Sequence, residues 1–318
     1  MFFSVIIPLY NKALYVNKAI STVLAQTFPD YELIIVDDGS KDNSAEMAAK
    51  AIDGHKHCRL IKQKNQGVSV ARNNGVAASQ GEYLCFLDAD DWCEPTFLEE
   101  MARLIAEFPD AGIYGTNYTI INETKHKTRV AQIGVENGFE KGYINYCQAY
   151  AKTLYMPLWT GAVCIPRQIF EKMNGFPKGI KLGEDFLLWI RIALKYKVAF
   201  LNKPLSFYNQ DVDAAFSGTH QKEYDPASFM TFHFDQLRED EQKNNDLKVL
   251  LDRIRVYSLM NYRKHNLFPE KIKQEIAKVD FLNVEPIYKF YYQAPYWMVK
   301  LYIETMQVLS VVKHKVVK

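Results

Sequence analysis

Short apolar runs alternate with helix-spaced patterns along the first 90 residues of the chain. The runs are rich in β-branched and aromatic residues, which predicts buried strands near residues 3–8, 31–36, 59–61 and 81–87. Apolar or alanine residues recur near helical spacing between these runs, which predicts a helix after each of the first three strands. Strands that alternate with helices indicate βαβ crossovers, so we expect a mainly parallel open sheet.

Polar groups directly follow three of these strands. The first strand runs into Leu9-Tyr-Asn-Lys12, the second into Asp37-Asp38, and the fourth into Asp88-Ala-Asp-Asp91. Ligands of open parallel sheets bind outside the carboxyl ends of the strands. We therefore expect the three strand ends to form one crevice.

The acidic residues at the end of the fourth strand suit a cation. Asp88, Asp90 and Asp91 repel one another unless a positive charge lies between them, so Asp88-Ala-Asp90 fits a DxD motif that binds a metal ion and a diphosphate. An isolated pattern of this kind more often marks an exposed acidic turn or the N-terminus of a helix. The other two polar strand ends favour the metal site in this chain.

Composition and missing motifs argue against several other classes of protein. The chain has 39 Lys and Arg against 37 Asp and Glu, a net charge of +2, which provides no basic excess for nucleic-acid binding. No GxGxxG follows the first strand and no GxxxxGKS/T is present, which disfavours a dehydrogenase and a P-loop enzyme.

The five cysteines form no CxxC pair, so neither a zinc site nor a disulfide framework is indicated, and a reducing cytosol fits best. The apolar N-terminus lacks a basic region and is expected to be a strand rather than a signal peptide, and no apolar run is long enough to predict a spanning helix.

The polar strand ends and the acidic motifs that the chain does contain, in their order and spacing, resemble those of the inverting family 2 glycosyltransferases, which have the GT-A nucleotide-diphospho-sugar fold. The resemblance covers roughly residues 1–210 and rests on Ser4-Val-Ile-Ile-Pro-Leu-Tyr-Asn11, Ala25-Gln-Thr27, Ile35-Val-Asp-Asp-Gly-Ser40, Gly67 to Asn73, Phe86-Leu-Asp-Ala-Asp-Asp91 and Gly183-Glu-Asp-Phe-Leu-Leu-Trp189. It implies an α/β catalytic domain at residues 1–218, with a nucleotide-binding half at 1–110 and an acceptor-binding half at 111–218. A C-terminal helical region is expected at 219–318.

The resemblance also implies roles on the donor side. Pro8 and Tyr10 would border the nucleotide, and Asp38 would accept a hydrogen bond from the N3–H of uracil. Asp88 would contact the ribose and Asp90 the metal, Mn²⁺ or Mg²⁺, with Asp88 and Asp91 as further candidate ligands.

Two donor-side motifs have a simpler alternative interpretation. Arg72 is expected to reach the pyrophosphate or the base, yet an Arg in the first turn of a helix is by default a solvated surface residue. The Asp-Asp-Gly-Ser turn also suits a helix N-cap, with Ser40 or Asp42 as the capping residue. Both interpretations of that turn can hold together.

The acceptor side centres on Gly183-Glu-Asp185. Paired acids at a helix start commonly compensate the helix dipole, but the resemblance implies that Asp185 is the catalytic base and that Glu184 orients the acceptor or supports Asp185. Trp159 lies between Pro157 and Gly161 and suits stacking on an acceptor sugar, while Trp189 is either a core aromatic or a wall of the acceptor site.

One departure from the family pattern concerns the metal. Many relatives follow the segment equivalent to Pro204-Leu-Ser-Phe-Tyr208 with a basic stretch and a His that approaches the metal, whereas this chain continues differently. A third metal ligand would have to come from Asp211, Asp213 or His220. The QxxRW motif of processive polymerases is also missing, which favours the addition of one sugar per encounter.

The C-terminal hundred residues lack these motifs and show helical spacing at 227–238, 247–264 and 270–279. In the last segment, 286–317, one face carries Met298, Tyr302, Met306, Leu309 and Val312, and the chain ends with several lysines. This stripe suits an interfacial helix on an anionic membrane surface, and it equally suits packing against the domain or against a second copy in a homodimer.

The sequence thus predicts a metal-dependent enzyme that transfers one hexose or N-acetylhexosamine, with inversion, from a UDP-sugar to a hydroxyl of a glycan or a polyprenyl-diphosphate-linked glycan. The expected setting is bacterial surface-polysaccharide synthesis, in the cytoplasm or on the cytoplasmic face of the inner membrane. Two other classes stay open. One is a nucleotide-sugar-binding scaffold without turnover, and the other is a nucleotidyltransferase, which would be expected to have a glycine-rich basic loop after its first strand.

Overall fold

The computed structural model describes residues 1–122, 124–212, 225–302 and residue 305. The chain folds into two compact units, the first from Met1 to Met230 and the second from Thr231 onward. Asp213 and His220, two of the candidate metal ligands, lie outside the described residues, as do Met306, Leu309 and Val312 of the predicted C-terminal stripe.

The first unit is built on one sheet, which has ten strands within the described residues. They are β1 Phe3–Leu9, β2 Tyr31–Asp37, β3 Cys58–Lys62, β4 Tyr83–Phe86, β5 Trp92–Cys93, β6 Ala111–Asn122, β7 Lys127–Val130, β8 Lys141–Ile144, β9 Val163–Pro166 and β10 Lys197–Asn209. The strand order is β3-β2-β1-β4-β9-β6-β10-β5, and β7 and β8 pair with β6 and β10.

The relative direction of neighbouring strands differs between the two halves of the sheet. The four strands β3, β2, β1 and β4 are parallel, as the sequence predicts. The second half is mixed, because β9 runs antiparallel to both β4 and β6, while β6 and β10 are parallel to each other. The expected mainly parallel sheet therefore holds for the first half only.

The helices of the first unit flank this sheet. They are α1 Val16–Leu24, α2 Ser44–Ala51, α3 Val68–Ala78, α4 Phe97–Glu107, α5 Tyr146–Thr153, α6 Arg167–Lys172 and α7 Glu184–Ala193. Helix α3 packs very close to the sheet at Gly75, where a Cβ atom would lie 2.5 Å from the side chain of Ile6 and 3.2 Å from that of Val36. Glycine at this position brings the helix N-terminus, with Arg72, down onto the strand ends.

The register of the parallel strands brings the three polar strand ends to one edge. Leu9 of β1 pairs with Asp37 of β2, and Ile6 of β1 pairs with Phe86 of β4. The side chains of β1 and β2 are almost entirely buried, so the chain first meets solvent beyond their carboxyl ends. This edge is where the candidate site lies.

The second unit is helical within its described part. It contains all but the first residue of the 3₁₀ segment Met230–Leu237, followed by α8 Arg238–Lys243, α9 Asn245–Ser258, α10 Met260–Lys264, α11 Pro269–Ile276 and α12 Pro286–Gln293. The sequence predicts one helix over 247–264, whereas the structure has two that meet at Leu259. No helix among the described residues has both the length and the apolar character needed to cross a membrane.

Candidate active site

Three aspartates occupy the turn that follows β4, and they differ in exposure. The side chains of Asp88 and Asp90 are 28% and 16% exposed, whereas Asp91 is buried. Asp91 is turned away from the crevice edge, since its Oδ1 accepts from the backbone N–H of Asn209 at 2.9 Å and its Oδ2 from Nε1 of Trp159 at 3.4 Å. Burial and the charges of Asp90 and Asp88 raise the pKa of Asp91 well above its usual range.

Two cations, the half-buried Lys12 and the buried Arg72, face the other two aspartates. Nζ of Lys12 lies 2.5 Å from Oδ2 of Asp90, and Nη2 of Arg72 lies 2.7 Å from Oδ1 of Asp88. Burial raises the pKa of Asp90, and Asp88 adds to this effect, while Lys12 opposes it. The acidic turn is thus paired with two positive charges supplied by the loop after β1 and by helix α3.

Arg72 joins the donor side to the start of α7. Its Nη1 donates to Oε1 of Glu184 at 2.7 Å, while its Nη2 holds Asp88. The guanidinium is 3% exposed and lies 5.1 Å from the ring centre of Phe176. Burial lowers the pKa of Arg72, but the charges of Asp88 and Glu184 outweigh it, so the pKa lies above its ordinary value. Both terminal nitrogens of Arg72 are therefore engaged by carboxylates.

The backbone at the start of α7 presents Glu184 and Asp185 to the same region. Gly183 has φ +82°, and a Cβ at this position would lie 2.1 Å from Sδ of Met230, so only glycine fits this entry to the helix. Oγ1 of Thr160 donates to Oδ2 of Asp185 at 2.8 Å. The two acids thus begin α7 in a fixed orientation, with Asp185 held from the side by Thr160.

Both acids of this pair are harder to ionise than usual. Burial and the charge of Asp185 raise the pKa of Glu184 to about 7, although Arg72 lowers it. Burial also raises the pKa of Asp185, against the lowering effects of Arg72 and of the hydrogen bond from Thr160. Carboxylates with raised pKa values in a crevice are suited to proton transfer near neutral pH.

Asp38, which follows β2, holds the loop before α3 by hydrogen bonds. Oδ1 of Asp38 accepts from Nε2 of Gln63 at 2.7 Å and from the N–H of Gln66 at 2.8 Å, and Oδ2 accepts from the N–H of Gly67 at 2.8 Å. The buried carboxylate thereby fixes the loop that leads into α3. Next to it, Pro8 lies one residue before the end of β1 and is half-buried, and Tyr10 presents an exposed ring.

Aromatic rings lie near Asp91 and Asp185. Trp159 stacks with Tyr118 at a centroid distance of 5.6 Å and contacts Tyr208 at 4.2 Å. Trp159 is half-buried, so part of its ring reaches the surface. Trp189 is fully buried and packs edge-on against Phe176, which is the core position that the sequence leaves open for it, and it offers no surface to an acceptor.

Several residues of the site escape sequence reasoning. Lys12 and Thr160 have no motif spacing that connects them with Asp90 and Asp185. The buried tyrosines Tyr146 and Tyr150 lie close enough to Asp185 for its charge to add to the effect of burial, which raises the pKa of both phenols. The sequence offers one general signal for such residues, the high content of 20 Tyr, and it does not say which of them approach the site.

The donor atoms suit a divalent cation that shares a bound diphosphate. Within the part of the chain that the structure describes, no three His, Cys, Asp or Glu residues cluster as a metal cage. Oδ1 of Asp211 accepts from Thr124, so this candidate third ligand is engaged elsewhere. Asp88 and Asp90 supply hard oxygen ligands, and Mg²⁺ and Mn²⁺ sites commonly combine one or two carboxylates with phosphate oxygens and water.

Comparison with known sequences places this site in a family. The model for "Glycosyl transferase family 2" matches residues 4–172. The glycosyltransferase GlyA of Streptococcus pneumoniae is 33% identical over 213 residues, a match that spans 64% of this chain and 30% of that relative. The chain spans about a third of the length of this and other curated relatives.

Solved structures share the fold. TarS 1–349 of Staphylococcus aureus in complex with UDP-GlcNAc has a TM-score of 0.74 at 18% identity, over 96% of this chain and 92% of that one. The mannosyltransferase PcManGT of Pyrobaculum calidifontis in complex with GDP-Man and Mn²⁺ has a TM-score of 0.56 at 15% identity, over 96% and 86% of the two chains. The expected GT-A architecture is confirmed, and because the family model matches more than half of its length, the chain belongs to glycosyl transferase family 2.

Proposed function

We propose that the enzyme transfers one hexose or N-acetylhexosamine, with inversion and with a divalent cation, from a UDP-sugar to a hydroxyl of a glycan or a polyprenyl-diphosphate-linked glycan. One observation carries this proposal. Arg72 links Asp88 of the DxD turn to Glu184 of the acidic pair on α7, at 2.7 Å on each side. A donor-side carboxylate and Glu184, the chain neighbour of the candidate base Asp185, thus belong to one connected polar network.

The donor side supports a uridine nucleotide. A carboxylate offers roughly four acceptor positions. Asp38 uses three of them to hold the loop before α3, so one remains for the N3–H of a uracil base. Pro8 and the exposed Tyr10 would flank the nucleotide, and Asp88 would contact the ribose. TarS, which was solved with UDP-GlcNAc, shares the fold.

Asp90 and Asp88, with Asp91 behind them, would hold Mn²⁺ or Mg²⁺. Such an ion supplies neutralisation of the negative charge that develops on the departing nucleoside diphosphate. The fold neighbour PcManGT was solved with Mn²⁺ and GDP-Man. The buried Arg72 adds a fixed positive charge beside Asp88.

Asp185 would act as the base. A raised pKa brings its basicity closer to that of an acceptor hydroxyl, and Thr160 fixes its Oδ2 so that the proton is taken at a defined position. The deprotonated acceptor oxygen attacks the anomeric carbon from the side opposite the diphosphate. A single displacement of this kind inverts the anomeric centre.

Glu184 and the aromatic rings would position the acceptor. Glu184 is held by Arg72 beside Asp185 and supports its orientation. Trp159, next to Thr160 in the chain, offers a partly exposed ring on which an acceptor sugar can stack. Trp189 of α7 is buried against Phe176 in the core and makes no contact with the acceptor.

The proposal assigns residues 1–218 to catalysis, with 1–110 for the nucleotide and 111–218 for the acceptor, and 219–318 to a helical region. We place the protein in surface-polysaccharide synthesis, in the bacterial cytoplasm or on the cytoplasmic face of the inner membrane. Exposed apolar side chains near the C-terminus and neighbouring lysines support contact with an anionic membrane surface. The same side chains would also serve a homodimer.

A UDP-release assay tests the proposal. The wild type, Asp185→Asn, Asp90→Ala and the control Asp110→Asn, which changes an exposed carboxylate, are incubated with Mn²⁺ and a panel of UDP-hexoses and UDP-N-acetylhexosamines. We expect slow hydrolysis of one donor by the wild type and the control and its loss in Asp90→Ala. Donor binding without any UDP release, even with acceptor glycans added, would instead indicate a binding scaffold.

A further inference from the structure

The ion pair between Lys12 and Asp90 occupies the position that the proposed function gives to the metal. Nζ of Lys12 lies 2.5 Å from Oδ2 of Asp90, and the two side chains are only 12% and 16% exposed. A divalent cation that binds Asp90 must therefore displace or share this ammonium group. Two positive charges at one carboxylate repel each other, so the ion pair opposes binding of the metal alone.

The backbone around Lys12 is held firmly, so only its side chain is left to move. The N–H of Lys12 donates to Oγ of Ser44 at 2.7 Å, and the N–H of the preceding Asn11 donates to Oγ of Ser40 at 3.1 Å. The N–H of Lys41 in turn donates to Oδ1 of Asn11 at 2.8 Å. These bonds tie the loop after β1 to the segment that begins α2, and the ammonium stays within reach of the crevice on its flexible four-carbon stem.

The other cation of the site is fixed in a different way. Arg72 is held by Asp88 and Glu184 together and is almost completely buried. Among the described residues, by contrast, the ammonium of Lys12 has one carboxylate partner, Asp90, and its next aromatic neighbour, the ring of Tyr15, is 6.0 Å away. Lys12 is therefore the cation that can leave its carboxylate when another acceptor arrives.

A donor diphosphate would be that acceptor. It would bring at least two negative charges to the edge of the sheet where Lys12 already lies, and a metal ion held by Asp90 would compete with the ammonium for that carboxylate. The ammonium then gains the phosphate oxygens as partners. When the metal ion and the diphosphate bind together, the metal ion and the Lys12 ammonium each have a negative partner. When the metal ion binds alone, Lys12 would lie beside the metal ion without a counter-charge.

We propose that Lys12 makes metal binding conditional on the donor, because its ammonium holds Asp90 until the cation and the diphosphate bind together and then transfers to the diphosphate. This inference rests on the proposed UDP-sugar function. Lys12 is thus a positioning and coupling residue of the donor site. It keeps the acidic turn neutralised between turnovers and limits binding of free divalent cations.

Titration with Mn²⁺, followed by calorimetry or electron paramagnetic resonance, tests the coupling between metal and donor binding without any turnover. The wild type, Lys12→Met and Lys41→Met are titrated with Mn²⁺ in the absence and in the presence of saturating UDP. Lys41→Met removes the same charge from an exposed neighbouring side chain and is the matched control. Thermal unfolding of each variant verifies that the fold is intact.

We expect the wild type and Lys41→Met to bind Mn²⁺ at least about ten-fold more tightly with UDP than without it. Lys12→Met should bind Mn²⁺ alone about ten-fold more tightly than the wild type does and should lose most of the gain from UDP. Lys12→Arg, which keeps the charge and grips the carboxylate with two donors, should bind Mn²⁺ alone no better than the wild type does.

Two negative results have different meanings. If UDP strengthens Mn²⁺ binding to the wild type but Lys12→Met binds Mn²⁺ alone as weakly as the wild type does, the role of Lys12 is refuted and the proposed function stands. If the wild type binds neither UDP nor Mn²⁺ in the presence of UDP, the proposed donor is wrong, and the conditional binding that depends on it is refuted as well.

Discussion

Arg72 donates a 2.7 Å hydrogen bond to Glu184, a residue 112 positions away in the chain. The bond crosses from the helix after β3 to the first turn of α7, and the same guanidinium holds Asp88. Because this buried positive charge binds one carboxylate of the DxD turn and one of the acidic pair, it fixes the position of the two segments relative to each other. The geometry of the site therefore depends on a residue that is almost inaccessible to solvent.

Replacement of Arg72 by Met should lower the free energy of unfolding by about 3 kcal/mol, because Glu184 and Asp88 then lose a shared counter-charge in a buried environment. Urea unfolding followed by circular dichroism measures this change. The control Arg103→Met removes an exposed surface ion pair and should alter stability by less than about 1 kcal/mol. Adding Glu184→Gln to Arg72→Met should restore part of the loss. Equal effects of the two arginine replacements would contradict the bridging role.

The partners of Arg72 also mark the limit of prediction from sequence. The positions of Asp38 and of Asp88 to Asp91 follow from strand patterns, because the carboxyl ends of parallel strands share one edge of the sheet. The pairing of Arg72 with Glu184 depends instead on how α3 packs on β1 through Gly75 and on where the mixed half of the sheet brings α7. No local periodicity encodes that distance.

Side-chain burial explains the other differences. Trp189 lies at helical spacing on α7, which suits both the core and the acceptor wall, and only the packed structure decides for the core. Asp91 belongs to the same acidic run as Asp90, yet it turns inward to Asn209 of β10, a strand more than a hundred residues later. The antiparallel course of β9 likewise has no signal in the hydrophobic pattern, because a short buried strand looks the same in either direction.

Glu184 should make the folded protein less stable as the pH rises through neutrality. Burial and Asp185 raise the pKa of Glu184 from 4.5 to about 7, so between these values the folded state binds a proton that the unfolded state releases. The contribution is complete below about pH 4.5 and is lost as the pH passes about 7. At about 1.4 kcal/mol per pKa unit, this contribution amounts to about 3 kcal/mol.

Urea unfolding at several pH values between 5 and 8 tests this linkage. The free energy of unfolding of the wild type should fall with rising pH relative to that of Glu184→Gln, whose side chain does not titrate. The exposed Glu171 provides a matched replacement, Glu171→Gln, which should keep the slope of the wild type. Parallel curves for the wild type and Glu184→Gln would show that Glu184 ionises normally in the folded protein.

Thr160 should set the pH at which transfer begins. Its hydroxyl donates to Asp185 and lowers the pKa of this carboxyl, against the larger raising effect of burial. Thr160→Val has nearly the same shape but cannot donate, so the pKa of Asp185 should rise further. Because the proposed base must be ionised, the acidic limb of the pH profile for sugar transfer should move to higher pH.

Steady-state rates across a pH series measure that movement, and Thr160→Ser, which keeps the hydroxyl, should retain the profile of the wild type. Thr160 is buried, so the thermal stability of both variants is compared first. An unchanged acidic limb in a well-folded Thr160→Val enzyme would mean that Asp185 does not govern the rate in this pH range.

Four exposed apolar side chains near the C-terminus, Ile287, Phe290, Trp297 and Leu301, here called the C-terminal apolar patch, should bind anionic membranes. All four side chains are exposed, Trp297 by 66%, and the ring of Phe290 lies 6.0 Å from that of Tyr302 on the next helical segment. Residues 286–318 contain five Lys and one Glu, a charge suited to acidic headgroups. Aromatic and aliphatic side chains beside lysines favour the interface between headgroups and acyl chains.

Flotation with vesicles of phosphatidylglycerol and phosphatidylcholine measures this binding, and Trp297→Ser should reduce the bound fraction several-fold because it removes the largest ring of the patch. Leu282→Ser is the matched control, since Leu282 is 92% exposed in the same unit but lies outside the patch. Binding should weaken with added salt and disappear with pure phosphatidylcholine, as the attraction of lysines to anionic lipids is screened. If Trp297→Ser floats like the wild type, or if the wild type forms a dimer that Trp297→Ser abolishes while vesicles are ignored, the patch serves a second copy of the chain and not a membrane.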